Sequence, residues 1–94
     1  MADMASFQAV VHGQVQGVFF RDFVRKQASV LGLTGYVRNL PDGNSLEVVA
    51  EGETEKLKRL LENLKVGPPR SLVKKVDAVG GEYSGSYLDF KIRR

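Results

Sequence analysis

The sequence predicts an α+β sandwich: a mostly antiparallel sheet of four to five strands with two helices on one face. Three observations predict it. Apolar residues repeat every second position before Phe20 and about every 3.6 positions after it, and the same switch recurs later in the chain. The resulting segments follow the order β-α-β-β-α-β, joined by short connections rich in Gly and Pro. Ninety-four residues, 43% of them hydrophobic and with no long polar tract, support one core and no second one.

The first strand is read over Phe7–His12, where Phe7, Ala9 and Val11 share a face. Residues 1–6 precede it as a short N-terminal extension, and 7–94 form a single domain. Phe20, Phe23, Val24, Ala28 and Leu31 then make one helical stripe, which Gly32 and Gly35 end. Gly35–Asn39 and Leu46–Glu51 form a hairpin around the turn-forming Leu40-Pro41-Asp42-Gly43-Asn44-Ser45. Leu57, Leu60, Leu61 and Leu64 mark the second helix, with Gly52 as its N-cap and Gly67-Pro68-Pro69 as its stop. Leu72–Val79 is a fourth strand, irregular because Val73 and Val76 break alternation, and Leu88–Ile92 adds a short fifth. Gly80-Gly81 and Ser84-Gly85-Ser86 lie in the loop between them. With right-handed crossovers this order gives a ferredoxin-like βαββαβ sandwich, a fold that by itself selects no function.

Composition removes several classes of chemistry. There is no cysteine, so disulfides, thiolate metal sites and cysteine nucleophiles are excluded and a cytoplasmic location is the expectation. No apolar run approaches the roughly 20 residues that span a bilayer, so no membrane association is expected. A net charge of +3 favours anionic partners but leaves nucleic acid and phosphorylated metabolites equally open. Gly13-x-x-x-Gly17 lacks the Gly-Lys-Ser/Thr half of a P-loop, and no dinucleotide fingerprint follows a strand. A single histidine, His12, builds no metal cluster and reads as an ordinary strand residue. No serine occupies a nucleophile elbow. The expectation is therefore no metal and no cofactor.

What remains is the turn Gly13-Gln14-Val15-Gln16-Gly17-Val18-Phe19-Phe20-Arg21, where strand gives way to helix. Amide N–H groups left free at a helix start converge at the positive end of its dipole, and a glycine lets an anion approach the backbone. Arg21 in the first turn adds a planar, bidentate clamp. The competing reading, a tight glycine turn beside a solvated Arg21, carries about equal weight on spacing alone. Phe20 and Phe23 fit the core stripe better than a stacking platform, and Asn39 in isolation reads as a turn former.

These stretches resemble the acylphosphatase family. One signature runs without a gap through Val11-His12-Gly13-Gln14-Val15-Gln16-Gly17-Val18-Phe19-Phe20-Arg21. A second runs through Gly35-Tyr36-Val37-Arg38-Asn39-Leu40-Pro41-Asp42-Gly43 and on to Val48-Val49-Ala50-Glu51-Gly52. The hairpin departs from the pattern at Gly43-Asn44-Ser45-Leu46, one residue longer than usual and with leucine in place of valine. The resemblance implies metal-independent hydrolysis of the carboxyl-phosphate bond of acyl phosphates. It implies that the catalytic pair is Arg21, which binds phosphate, and Asn39, which orients the attacking water. The backbone amides of Gln16, Gly17, Val18, Phe19, Phe20 and Arg21 complete the phosphate site. The partners implied are a small acyl phosphate and inorganic phosphate as product or competing ligand; the chain is expected to act as a monomer, without nucleic acid. An RNA-recognition domain is disfavoured because its aromatic strand motif is absent from the central strand. A module that keeps the phosphate site for regulation or substrate delivery, as the acylphosphatase-like modules of hydrogenase-maturation proteins do, belongs to a context that adds cysteine-rich zinc motifs, and this chain has none.

Overall fold

Phe7, Ala9 and Val11 are all buried, so the period-two pattern of the first strand does seat one of its faces on a core. The computed structural model describes residues 3–94. Its elements are β1 (Met4–Gln14), α1 (Phe20–Val30), β2 (Thr34–Asn39), β3 (Ser45–Glu53), α2 (Thr54–Val66), β4 (Leu72–Gly81) and β5 (Phe90–Arg93). β1 begins three residues before Phe7 because Met4, Ala5 and Ser6 pair with Glu53, Gly52 and Glu51 of β3. Of the N-terminal extension read from the sequence, residues 1 and 2 lie outside the described residues.

The five strands form one sheet in the order β4-β1-β3-β2-β5. β1 pairs antiparallel with β3 and β4, and β2 pairs antiparallel with β3 but parallel with β5. Phe20, Val24 and Ala28 of α1 and Leu57, Leu60 and Leu64 of α2 join a single buried cluster with Val11, Val37, Leu46, Val48 and Ala50 of the sheet. Both helices therefore cover the same face, as a ferredoxin-like sandwich requires. No helix among the described residues is long and apolar enough to cross a membrane.

Consecutive strands β4 and β5 occupy opposite edges, so the segment between them has to cross the sheet. It crosses the face without helices. Glu51, on that face and almost fully buried, accepts hydrogen bonds from the Ser84 amide (3.1 Å), the Ser84 hydroxyl (2.7 Å) and the Gly85 amide (3.0 Å). Glu47, two pleats along the same face, accepts from Gln8 (2.6 Å), Tyr36 (2.9 Å) and Arg38 (2.8 Å). Burial alone raises the Glu47 carboxyl, but the hydrogen bonds from Arg38, Gln8 and Tyr36 outweigh it and hold the group below the usual glutamate value.

Two details of the sequence reading acquire a physical cause. The register of β4 jumps between His12, opposite Lys75, and Gly13, opposite Val73, leaving Lys74 as a bulge. Val73 and Val76, three positions apart, can then both pack against the core. Gly52 is not an N-cap: it lies within β3 opposite Ala5, and Glu53 precedes the helix. Gly52 takes φ 152°, which side-chain-bearing residues rarely adopt, and a Cβ there would also press on Leu33 Cδ2 at 2.5 Å. The start of α2 is held instead by the Thr54 amide, which donates to the Asp3 carbonyl at 2.9 Å.

Candidate active site

Sheet topology decides which residues can meet. β1 and β2 both run antiparallel to β3, so they run parallel to each other, and β5 runs parallel to β2. The C-terminal ends of all three strands therefore reach the same end of the sheet. That end carries the turn after β1, Asn39 at the end of β2, and Arg94 just beyond β5.

Val15, buried to 1% exposure, pins the chain where β1 ends, and four residues then bend into α1. Gly17 (φ 72°) and Phe19 (φ 59°, ψ 26°) both take left-handed conformations. Glycine does so without strain, whereas a non-glycine residue there costs about 1–2 kcal/mol. Phe19 is also the N-cap residue of α1, and its side chain can accept no hydrogen bond from the first turn. Helical hydrogen bonding begins with the Phe23 amide donating to the Phe19 carbonyl at 3.0 Å. No acceptor among the described residues meets the backbone N–H groups of Gln16 through Arg21. Six consecutive donors thus stand unengaged at the positive end of a helix.

The turn opens on a cleft of about 770 Å³. Gly17, Phe19, Phe20, Arg21 and Asp22 line one side, Asn39 lines it from β2, and Ile92 and Arg94 line it from beyond. Arg21 and Asn39, which the sequence reading paired, share this cleft although 18 positions separate them. Gln16 and Val18 belong to the same turn but do not line it. Arg21 and the positive end of the α1 dipole, set against the Asp22 carboxylate, give the turn side of the cleft groups that attract anions. It can hold a tetrahedral oxyanion, but its lining has no thiol, hydroxyl or imidazole to attack one. His12 is elsewhere, its Nε2 3.2 Å from Asp77 on the helix-free side of the sheet.

The Gln16 side chain has a role that sequence reading missed. Its Nε2 donates to the Leu40 carbonyl (2.8 Å) and to the Ser45 carbonyl (2.9 Å), tying the turn to the β2–β3 hairpin directly beyond Asn39. The Gly13 amide adds a third tie to the Asn44 carbonyl at 2.9 Å. The longer hairpin is closed internally by Asp42, which accepts from the Asn44 amide (2.9 Å) and the Ser45 hydroxyl (2.9 Å). The Asn44 amide first, and the Ser45 hydroxyl next, hold the Asp42 carboxyl below its ordinary value. The hairpin tip, where the sequence reading put the departure from the family pattern, thus contacts the turn through the Asn44 carbonyl.

Ile92 and Arg94 were also invisible as site residues. β5 places Ile92 opposite Val37 and Arg93 opposite Arg38, so the next step of the register brings Arg94 alongside Asn39. The only sequence signal was the strand itself; its parallel pairing with β2 was not encoded locally.

Comparison with known proteins identifies the family. The acylphosphatase family model matches residues 7–92. A curated acylphosphatase of Dehalococcoides mccartyi is 48% identical over 90 residues, spanning 96% of this chain and 99% of that protein. The structure of an acylphosphatase from Coxiella burnetii superposes with a TM-score of 0.90 at 41% identity, covering 97% of this chain and 94% of that one. Full-length HypF in its phosphate- and nucleotide-bound form matches at a TM-score of 0.85 and 29% identity, but this chain covers only 12% of it. The family match spans both signatures, the turn with Arg21 and the strand with Asn39, and the chain belongs to the acylphosphatase family.

Proposed function

We propose that this chain hydrolyses acyl phosphates to a carboxylate and inorganic phosphate without a metal ion, with Arg21 and Asn39 as its catalytic residues. The observation that carries the reading is the run of unengaged amides from Gln16 to Arg21, in a turn that shares its cleft with Asn39. The amides and the Arg21 fork bind the phosphoryl oxygens. Asn39 accepts a hydrogen bond from the attacking water and fixes its line of approach. The water oxygen bonds to phosphorus, the bond from phosphorus to the carboxyl oxygen breaks, and its electron pair leaves on the carboxylate. The proton released by the water passes to a phosphoryl oxygen, giving phosphate.

No general base is required for this sequence. Phosphoryl transfer goes through a loose transition state, in which the water needs orientation more than early deprotonation, and a carboxylate departs without being protonated. The turn and Arg21 stabilise charge on the equatorial oxygens, an electrostatic contribution that is largest where the donors are already oriented. The test is hydrolysis of benzoyl phosphate by the purified chain in the presence of a chelator, with inorganic phosphate as competitor. Turnover that resists the chelator and is competitively inhibited by phosphate is the expected result. No turnover, or turnover abolished by the chelator, overturns the reading.

A further inference from the structure

Phe19 is the sole non-glycine residue with positive φ among the described residues, and it is 77% exposed. Both features are unfavourable, and neither is needed to bind phosphate. The cradle uses only the Phe19 amide, and glycine at this position would adopt the same conformation without strain. Nor does the ring support the fold. The aromatic pair in this region is Phe20 with Phe23, and Phe19 lies outside the core and outside the residues packed on it. Its surroundings are the cleft. Of the apolar residues lining that cleft, Val15 and Phe20 are each 1% exposed and have almost no surface to offer. Phe19 and the half-buried Ile92 are left as the accessible apolar surface beside the phosphate cradle.

We propose that Phe19 is a specificity-determining residue that packs against the acyl part of the substrate and selects acyl phosphates with aryl or other broad apolar acyl groups over small ones. This rests on the acyl-phosphate reading above. That reading assigns the phosphate end to Arg21 and the amides, and the acyl end must then leave the cradle across the cleft. An aromatic ring at its rim offers a broad apolar face, and only an acyl group with matching surface gains from it.

The test compares benzoyl phosphate with acetyl phosphate in the wild-type chain and in Phe19→Ala, Phe19→Gly and Phe19→Trp. The readout is the benzoyl-to-acetyl ratio of kcat/KM, together with the ratio of Kd values for benzoylphosphonate and acetylphosphonate, which are not hydrolysed. Phe19→Ala and Phe19→Gly are expected to lower both preferences for the benzoyl compound about tenfold, and Phe19→Trp to keep them. The glycine variant separates ring from backbone: recovery of the ratio in Phe19→Gly after its loss in Phe19→Ala would assign the effect to strain and overturn the proposal. Ratios unchanged within about twofold in both truncations overturn it as well, while leaving the hydrolase reading intact. Failure of the wild-type chain to hydrolyse either compound removes that reading and this inference with it.

Discussion

Replacing Gln16 by Leu tests whether the tie between the phosphate turn and the hairpin matters for chemistry or only for stability. The substitution removes two neutral hydrogen bonds, to the Leu40 and Ser45 carbonyls, while keeping the bulk of the side chain. Each such bond contributes about 0.5–1.5 kcal/mol net. Both carbonyls keep another donor, the Gly43 amide at 3.4 Å for Leu40 and the Leu40 amide at 3.0 Å for Ser45. The expected loss therefore lies toward the lower end, about 1–2 kcal/mol in total. For a domain of this size that lowers Tm by roughly 4–16 °C. The Gly13-to-Asn44 bond and the β1–β3 ladder remain, so the turn slackens against the hairpin without detaching. A shift of about 1 Å between phosphate and oriented water costs on the order of 100-fold, so kcat should fall roughly 10- to 100-fold. KM should change less, because Arg21 and the amides remain. Steady-state kinetics on benzoyl phosphate, run beside thermal unfolding, separate the two effects. A lower Tm with kcat within about twofold of wild type would refute the positioning argument and leave Gln16 a structural residue.

Four further outcomes are expected. Asn39→Ala should lower kcat by about 100-fold or more with a smaller effect on KM if, as proposed, the amide orients water rather than phosphate; equal loss in a phosphate-binding titration would contradict that role. Arg21→Lys should lower kcat/KM by about 100-fold, because a point charge does not replace a bidentate fork, and near-wild-type kinetics would remove Arg21 from the transition state. Asp22 is the sole carboxylate lining the cleft among the described residues, and His12 is paired with Asp77 outside it; Asp22→Asn and His12→Ala should each leave the pH–rate profile without a new or lost limb. Stability should fall with acid in part through Glu47. Its folded pKa is depressed, so the unfolded chain takes up the proton first. The stabilisation is complete above the ordinary glutamate value of 4.5 and is lost as pH drops through the lower folded value. Glu47→Gln should therefore flatten the decline in denaturant midpoint as pH falls below the ordinary glutamate value of 4.5, and an unchanged decline would place the acid sensitivity elsewhere.

What the sequence reveals and what it hides divide along a physical line. Period-two and helical spacings are written locally, so strand faces and both helix stripes could be read from Phe7, Ala9 and Val11 or from Leu57, Leu60 and Leu64. The irregularity of β4 was legible too, because Val73 and Val76 cannot share a face of a regular strand; its cause, a bulge at Lys74, needs the partner strand to be known. Arg21 and Asn39 were reached through the family resemblance. Spacing alone left Arg21 undecided between an anion clamp and a solvated surface residue, and left Asn39 as a turn former.

Everything missed depends on pairings between distant segments. The Gln16 amide group acts on carbonyls 24 and 29 positions away, and no periodicity in the chain marks such a contact. Arg94 reaches the cleft because β5 adds in parallel to β2, across a segment that Glu51 holds at Ser84 and Gly85. Phe19 lies between these cases. Its amide was included in the cradle from the signature, and the residue falls one position before the helix and its Phe20 stripe, in a left-handed conformation that the sequence did not mark. Which surface the ring serves became a question only when the cleft was found to have so little other exposed apolar lining. For that reason the acyl end of the substrate, unlike its phosphate end, could not be addressed from motifs: on the reading proposed above, phosphate is bound by backbone geometry that a signature preserves, whereas an acyl group meets whichever side chains the sheet brings to the rim.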